Sequence, residues 1–230
     1  IMLSESDLSE KDSRRFLSVI VEQTNRLAQL IDRILEISRI SSVDFNISTG
    51  PVNLCHLIEQ ISAELQVLAY KKNINFETEL DYNLPVINSD ESRLHSVITN
   101  LLNNAIKFTP AEGKVKITLT KDKENAVIKV SDTGIGIPKK DLVRIFDRFY
   151  RVKSSMFRTQ GTGLGLAIVK ETVDLLGGRI DVESKSGKGT LFTIYIPLKS
   201  QVAESAEPAN EQKNSQSKTN CHYSNNRSNN

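Results

Sequence analysis

A chain of 230 residues, 38% apolar and 25% charged, is long enough for one or two self-stabilised domains and excludes a small disulfide module. Its 30 Lys and Arg against 28 Asp and Glu leave a net charge of +2, with both signs mixed, so no basic face announces nucleic acid or an anionic membrane surface. Two cysteines, Cys55 and Cys221, build neither a disulfide framework nor a metal cluster and fit a reducing compartment. No apolar run approaches the roughly 18 residues that cross a bilayer.

In chain order, Phe16, Ile20, Gln23, Leu27, Leu30, Ile34 and Ile37 step by four and three, a heptad seam with one polar member. Ser9 with Asp12 three residues on gives an acid at the positive helix end. The predicted helix runs from about Ser9 to about Ser42, too long for one small domain to cover, so it wants another helix or another chain. A single amphipathic surface helix is the plainer alternative. The chain starts at Ile1 rather than at a start methionine, and Met2 leads straight into a helical pattern, which suggests that something upstream has been cut away. Residues 46–51, with Asn46, Ser48, Thr49, Gly50 and Pro51, read as a linker that ends the helical region 1–45.

The predicted domain over 52–199 opens with a helix at Leu54–Lys71. Strands of period two follow at 74–80, 114–121, 126–131, 179–183 and 191–197, with helices at 90–108 and 164–176. Tight turns at 122–125 and 185–189 imply antiparallel neighbours. The fold class is therefore α+β: a two-layer α/β sandwich, a mixed sheet with helices on one face. In the last 31 residues, seven Asn, six Ser and three Gln leave too little apolar surface to order, and 200–230 is predicted to be a disordered tail.

Four segments use glycine or carboxamide where a plain scaffold has no need of it. Asn100, Asn104 and Lys107 are spaced by four and three, so two amides and an ammonium share a helix face. A carboxamide oxygen suits Mg²⁺ and an ammonium suits phosphate, though the same spacing serves a solvated polar face. Asp132-Thr-Gly134-Ile-Gly136-Ile-Pro138 ends a strand. Its glycines allow close approach to a ligand, and its carboxylate can accept from an exocyclic amine of the kind adenine carries and guanine replaces by a carbonyl; a tight turn would look the same. Gly161-Thr162-Gly163-Leu164-Gly165 leads into a helix and frees amides for an anion, without dinucleotide-binding spacing. Phe146-Asp-Arg-Phe149-Tyr150-Arg151 sets two aromatics three apart, expected to pack, with Arg151 as a phosphate contact.

In order, NLLNNAIKFT, DTGIGIP, FDRFYR, GTGLGLAIVK and GKGTLFTIYIP resemble the N, G1, F, G2 and G3 boxes of the catalytic ATP-binding domain of two-component sensor histidine kinases. The resemblance spans about 51–198. FLSVIVEQTNRLAQLIDRILEISRI is similar to the second helix of the family's dimerisation and phosphotransfer hairpin. The resemblance implies ATP and Mg²⁺ as cofactors. Asn104 would be the metal ligand, Asn100 and Lys107 would lie near the phosphates, and Asp132 would meet the adenine amine, with Gly134 and Gly136 beside the base. Arg151 would reach the terminal phosphate, while Gly161, Thr162, Gly163, Leu164 and Gly165 would form the phosphate-covering lid. Gly187, Gly189 and Thr190 would close the pocket. Catalysis would rest on Asn104, Lys107 and Arg151.

The family's phosphoaccepting histidine lies on the first hairpin helix, in a box with acidic and basic neighbours. Of His56, His95 and His222, none has that setting, so all three read as ordinary residues. The expected function is a histidine kinase that passes the ATP γ-phosphoryl group to a hairpin histidine for relay to a response regulator. This chain, lacking the acceptor, would not label itself. Alternatives are a non-catalytic ATP-binding or dimerisation module, or a serine kinase of the same superfamily. The resemblance further implies a homodimer through the helical region and a cytoplasmic module of a parent protein that can be membrane-anchored, with no nucleic-acid partner.

Overall fold

A computed structural model of the chain describes residues 12–21, 23, 24, 27, 28, 31, 48–152 and 162–198. The predicted tail and the second half of the heptad seam lie outside those residues. Helix α1 comprises residues 12–21, and described residues 23, 24, 27, 28 and 31 are also helical. Its seam members Phe16, Ile20 and Leu27 are exposed, and so are Leu17, Val19 and Val21 off the seam. The apolar surface there is wider than a two-position stripe.

The body is built from β1 (Gly50–Val52), α2 (Leu54–Lys71), β2 (Asn75–Leu80), β3 (Ile87–Ser89), α3 (Glu91–Phe108), β4 (Lys114–Lys121), β5 (Asn125–Asp132), α4 (Gly165–Leu175), β6 (Arg179–Lys185) and β7 (Gly189–Pro197). Five strands form a mixed sheet in the order β2-β4-β5-β7-β6. Along β4, Val115, Ile117 and Leu119 are buried while the residues between them are half-exposed, so one sheet face meets the helices. Against it pack Leu57, Ile58, Ile61 and Leu65 of α2 and Leu94, Ile98, Leu101 and Leu102 of α3, in one continuous core. The other face is more polar: Arg179 lies over the Tyr195 ring at 4.4 Å. This is the expected two-layer sandwich.

The sequence reading needs one correction. Gly50 and Pro51, expected in the linker, belong to β1, which pairs antiparallel with β3 and ties the start of the domain to the residues just before α3. Three-residue strands carry too little alternation to declare themselves. The short turns implied antiparallel neighbours, and β4–β5 and β6–β7 are such pairs; β2 pairs parallel with β4, which makes the sheet the expected mixed one.

Helix α3 matters most for the site. Asp90 caps its start, accepting from Arg93 N–H at 3.2 Å and from Ser92 Oγ at 2.7 Å. Burial opposes ionisation of the Asp90 carboxyl, but these bonds and the nearby Arg93 guanidinium outweigh it and hold the group below its ordinary value. Pro110, one residue past the cap Thr109, prevents continuation.

Candidate functional site

The apolar positions of α3 turn inward, which leaves Asn100, Asn104 and Lys107 half-buried along the helix flank. Asn100 Nδ2 donates to Ser96 O at 2.9 Å, which leaves its Oδ1 facing the start of α4: a Cβ on Gly165 would stand 3.2 Å from that oxygen. Among the described residues the Asn104 carboxamide makes no hydrogen bond. Lys107 Nζ lies 5.1 Å from the centroid of the Phe108 ring.

Asp132 ends β5 at the edge of this helix. Its Oδ1 accepts from Gly134 N–H at 2.8 Å and from Thr190 N–H at 3.2 Å. Among the described residues no donor reaches Oδ2. Burial pushes the carboxyl above its ordinary value, against the two N–H donors that pull it down. The loop that follows is fastened on both sides. Ile135 N–H donates to Phe108 O at 3.2 Å and Gly187 N–H to Ile135 O at 2.7 Å, while Ile137 N–H donates to Ser184 Oγ at 2.8 Å. A Cβ on Gly134 would come within 2.6 Å of Phe108 O. Gly136, at φ 64°, lies so near the Lys185 carbonyl that a Cβ there would collide with it.

Opposite, the Phe146–Arg151 segment meets the glycine-rich turn before α4. Phe149 N–H donates to Gly163 O at 2.9 Å, and a Cβ on Gly163 would stand 2.7 Å from the Phe149 carbonyl carbon. Thr162 Oγ1 accepts from Leu164 N–H at 3.3 Å, and Leu164 is fully buried with Ile168. Tyr150 OH donates to the buried Asp141 at 2.6 Å, a bond that raises the Tyr150 hydroxyl above its ordinary value. Arg148 pairs with Glu171 of α4 at 2.8 Å. Arg151 is exposed, and Gly161 lies outside the described residues. Of the two aromatics expected to pack, Phe146 does, edge-to-face on Phe192 with centroids 6.5 Å apart. Phe149 does not: it is 64% exposed and sits at φ 63°.

The four segments thus form a ring of contacts: α3 with the Asp132 loop, that loop with the β6–β7 turn, α3 again with the start of α4, and the Phe149 segment with Gly163. Sequence reasoning missed two members of the ring and one residue that braces it from outside. Ser184 is an ordinary strand residue by pattern, the Phe108 carbonyl is backbone, and Lys72 reaches α3 from the end of another helix. No local signal marks any of them.

The ring sits on a two-layer sandwich whose residues 89–200 match the family described as histidine kinase-, DNA gyrase B-, and HSP90-like ATPase. Among curated proteins the chain is 36% identical to the circadian input-output histidine kinase CikA of Synechococcus elongatus, across 85% of this chain and 26% of that protein. Among solved structures it resembles full-length ShkA in complex with AMPPNP, with a TM-score of 0.72 and 30% identity over 84% of this chain and 40% of that one. It also resembles the catalytic domain of the histidine kinase ThkA, with a TM-score of 0.60 and 33% identity over 67% of this chain and 98% of that one. A complex of ThkA with the response regulator TrrA aligns with a TM-score of 0.65 and 27% identity over 85% of this chain and 53% of that one. The chain belongs to the histidine kinase family. It spans well under half the length of the curated relatives it matches, and no helix among its described residues is long and apolar enough to cross a membrane.

Proposed function

We propose that this chain is the ATP-binding, phosphoryl-donating part of a two-component sensor histidine kinase, acting on a histidine that is then relieved of its phosphate by a response-regulator aspartate. One observation carries the reading: Asp132 is held by two N–H groups on Oδ1 while Oδ2 stays available to accept from an adenine amine. A guanine carbonyl would meet that oxygen acceptor to acceptor.

The donor set also suits magnesium. Asn104 offers a half-buried carboxamide with no hydrogen bond among the described residues, a hard neutral oxygen of the type Mg²⁺ takes. When bound, the metal would offset charge on the phosphate oxygens. Phosphoryl transfer is largely dissociative, so the protein's own task is positioning and charge neutralisation. Lys107 and Arg151 serve the second, and Asn100, with its oxygen turned toward Gly165, helps set the phosphate chain under Thr162–Gly165. In the transfer, the bond from the γ-phosphorus to the bridging oxygen breaks, a bond to an imidazole nitrogen forms, ADP leaves, and the imidazole proton passes to a base beside the acceptor. ThkA's complex with TrrA supports the response-regulator relay, and the exposed apolar residues of α1 support a homodimer through the helical region.

Incubation with Mg·ATP labelled at the γ-phosphate, together with a separate fragment carrying a complete phosphoacceptor hairpin, tests this reading. Acid-labile, base-stable phosphate should appear on the fragment and not on His56 or His95, and Asn104→Ala should abolish it. No labelling of the fragment, or acid-stable phosphoserine, would refute the proposal.

A further inference from the structure

The last four carbonyls of an α-helix have no partner within the helix. At the end of α3, beside the candidate site, each of the four is claimed by an identifiable donor. Ala105 O accepts from Thr109 N–H at 3.1 Å and from Thr109 Oγ1 at 2.7 Å. Phe108 O accepts from Ile135 N–H at 3.2 Å. The two between them, Ile106 O and Lys107 O, both accept from Lys72 Nζ, each at 2.7 Å. One ammonium from outside the helix therefore fastens half of this end.

Lys72 is itself well anchored. It is the cap residue of α2, and its N–H reaches Leu68 O at 3.3 Å and Ala69 O at 3.1 Å. The next residue, Asn73, turns through φ 56°, and its carbonyl is held by Glu112 N–H at 2.7 Å. Burial draws the ammonium below its ordinary value, but a cation at a helix C-terminus is favoured by the helix dipole and by charge-assisted bonds to its carbonyls. What it fastens is the part of α3 the site depends on. Lys107 leaves the helix here, and the Asp132–Pro138 loop rests on Phe108 O, both through the Ile135 bond and through the close approach of Gly134.

We infer that Lys72 is a positioning residue for nucleotide binding: by gripping the carbonyls of Ile106 and Lys107, it sets the seat from which Lys107 meets the phosphates and on which the Asp132 loop meets the base. The inference rests on the ATP-binding reading above. It assigns a role to a residue outside all five boxes, one that acts through the carbonyls of α3.

The test compares the whole chain with Lys72→Met, which keeps the stem and loses the donors, and Lys72→Arg, which keeps a cation with donors. Calorimetry reads Mg·ATP affinity, and amide hydrogen exchange is followed at Ile135 and, as a remote reference, at Ile128 in the sheet centre. Lys72→Met should weaken binding roughly tenfold, the size of effect expected for a charge-assisted hydrogen bond. It should also speed exchange at Ile135 and leave Ile128 unchanged, and Lys72→Arg should restore both readouts to within about threefold, a residual set by the different shape of the guanidinium. Unchanged binding in Lys72→Met, equal acceleration at Ile128, or failure of Lys72→Arg to restore would each overturn the inference. If Lys72→Met does not fold, Lys72→Gln, with a neutral and shorter donor, takes its place under the same criteria. Absence of Mg·ATP binding by the unaltered chain would instead refute the ATP-binding reading, so the two failures are distinguishable.

Discussion

The two walls of the candidate site are built to different standards. The wall around Asp132 is fastened by bonds from several elements: Asp132 to Gly134 and Thr190, Ile135 to Phe108, Gly187 to Ile135, Ile137 to Ser184. Among the described residues, the wall around Phe149 is joined to its surroundings by a backbone bond to Gly163, the Tyr150–Asp141 bond and a partly exposed ion pair from Arg148 to Glu171, among other contacts. It also holds an aromatic residue in the left-handed region, which L side chains with a Cβ adopt at a cost. A base is flat and of fixed shape and suits a rigid wall; a phosphate chain that must be enclosed and then released suits one that can shift.

Substituting a glycine on each wall breaks the comparison most directly. Gly136→Ala puts a methyl at φ 64° into the Lys185 carbonyl, with backbone on both sides, and should cost about 3 kcal/mol or more in urea unfolding. Gly163→Ala, at φ 75° and 2.7 Å from the Phe149 carbonyl carbon, should cost less, about 1–2 kcal/mol, because the Phe149 segment can shift. Equal losses would mean that the walls are equally rigid.

Asp132→Asn separates binding from stability. The substituted amide must turn an N–H toward the adenine amine or give up an N–H partner, so ATP affinity should fall by about 1.5–3 kcal/mol. The fold should not suffer. A carboxyl whose folded pKa is raised by burial contributes stability fully present below its unfolded value and lost as pH rises through the folded one, so at neutral pH its charge is a cost that Asn removes. By the same sign, ATP affinity of the unaltered chain should fall on acidification at a pH above that expected for an ordinary aspartate. A Tm lowered by Asp132→Asn, measured without nucleotide, would show that the carboxylate holds the wall together by its charge.

The smallest effect belongs to Phe149→Gly. Its ring is largely exposed, so little burial is lost, while the left-handed backbone is relieved. Net stabilisation of about 1 kcal/mol or less is expected, since glycine's larger unfolded-state entropy offsets part of the gain. A destabilised variant would show that the ring packs after all.

The contrast between walls also marks what the sequence could tell. Val115, Ile117 and Leu119 alternate and Leu94, Ile98, Leu101 and Leu102 recur at helical spacing, so the main strands and helices were legible, and the ordered glycine boxes carried the resemblance to the histidine kinase family. The parallel partnership of β2 was not, because the turns that betray hairpins say nothing about strands joined through a helix. Nor was the left-handed Phe149: that conformation is read from glycine or asparagine, and here it falls on an aromatic residue bonded to Gly163. Lys72 escaped because a long side chain acting on carbonyls more than thirty residues away leaves no local pattern.

The parallel pair of β2 with β4 bears on how the molecule comes into being. The β4–β5 and β6–β7 hairpins close over short turns and can zip early, whereas Asn75 must find Lys114 across β3 and the whole of α3, the kind of distant closure that slows folding. Helix α3, with its carboxamides, lies inside the loop that this late pairing closes. Refolding chains should therefore show strand signal before they capture nucleotide, and ATP should stabilise only molecules that have finished.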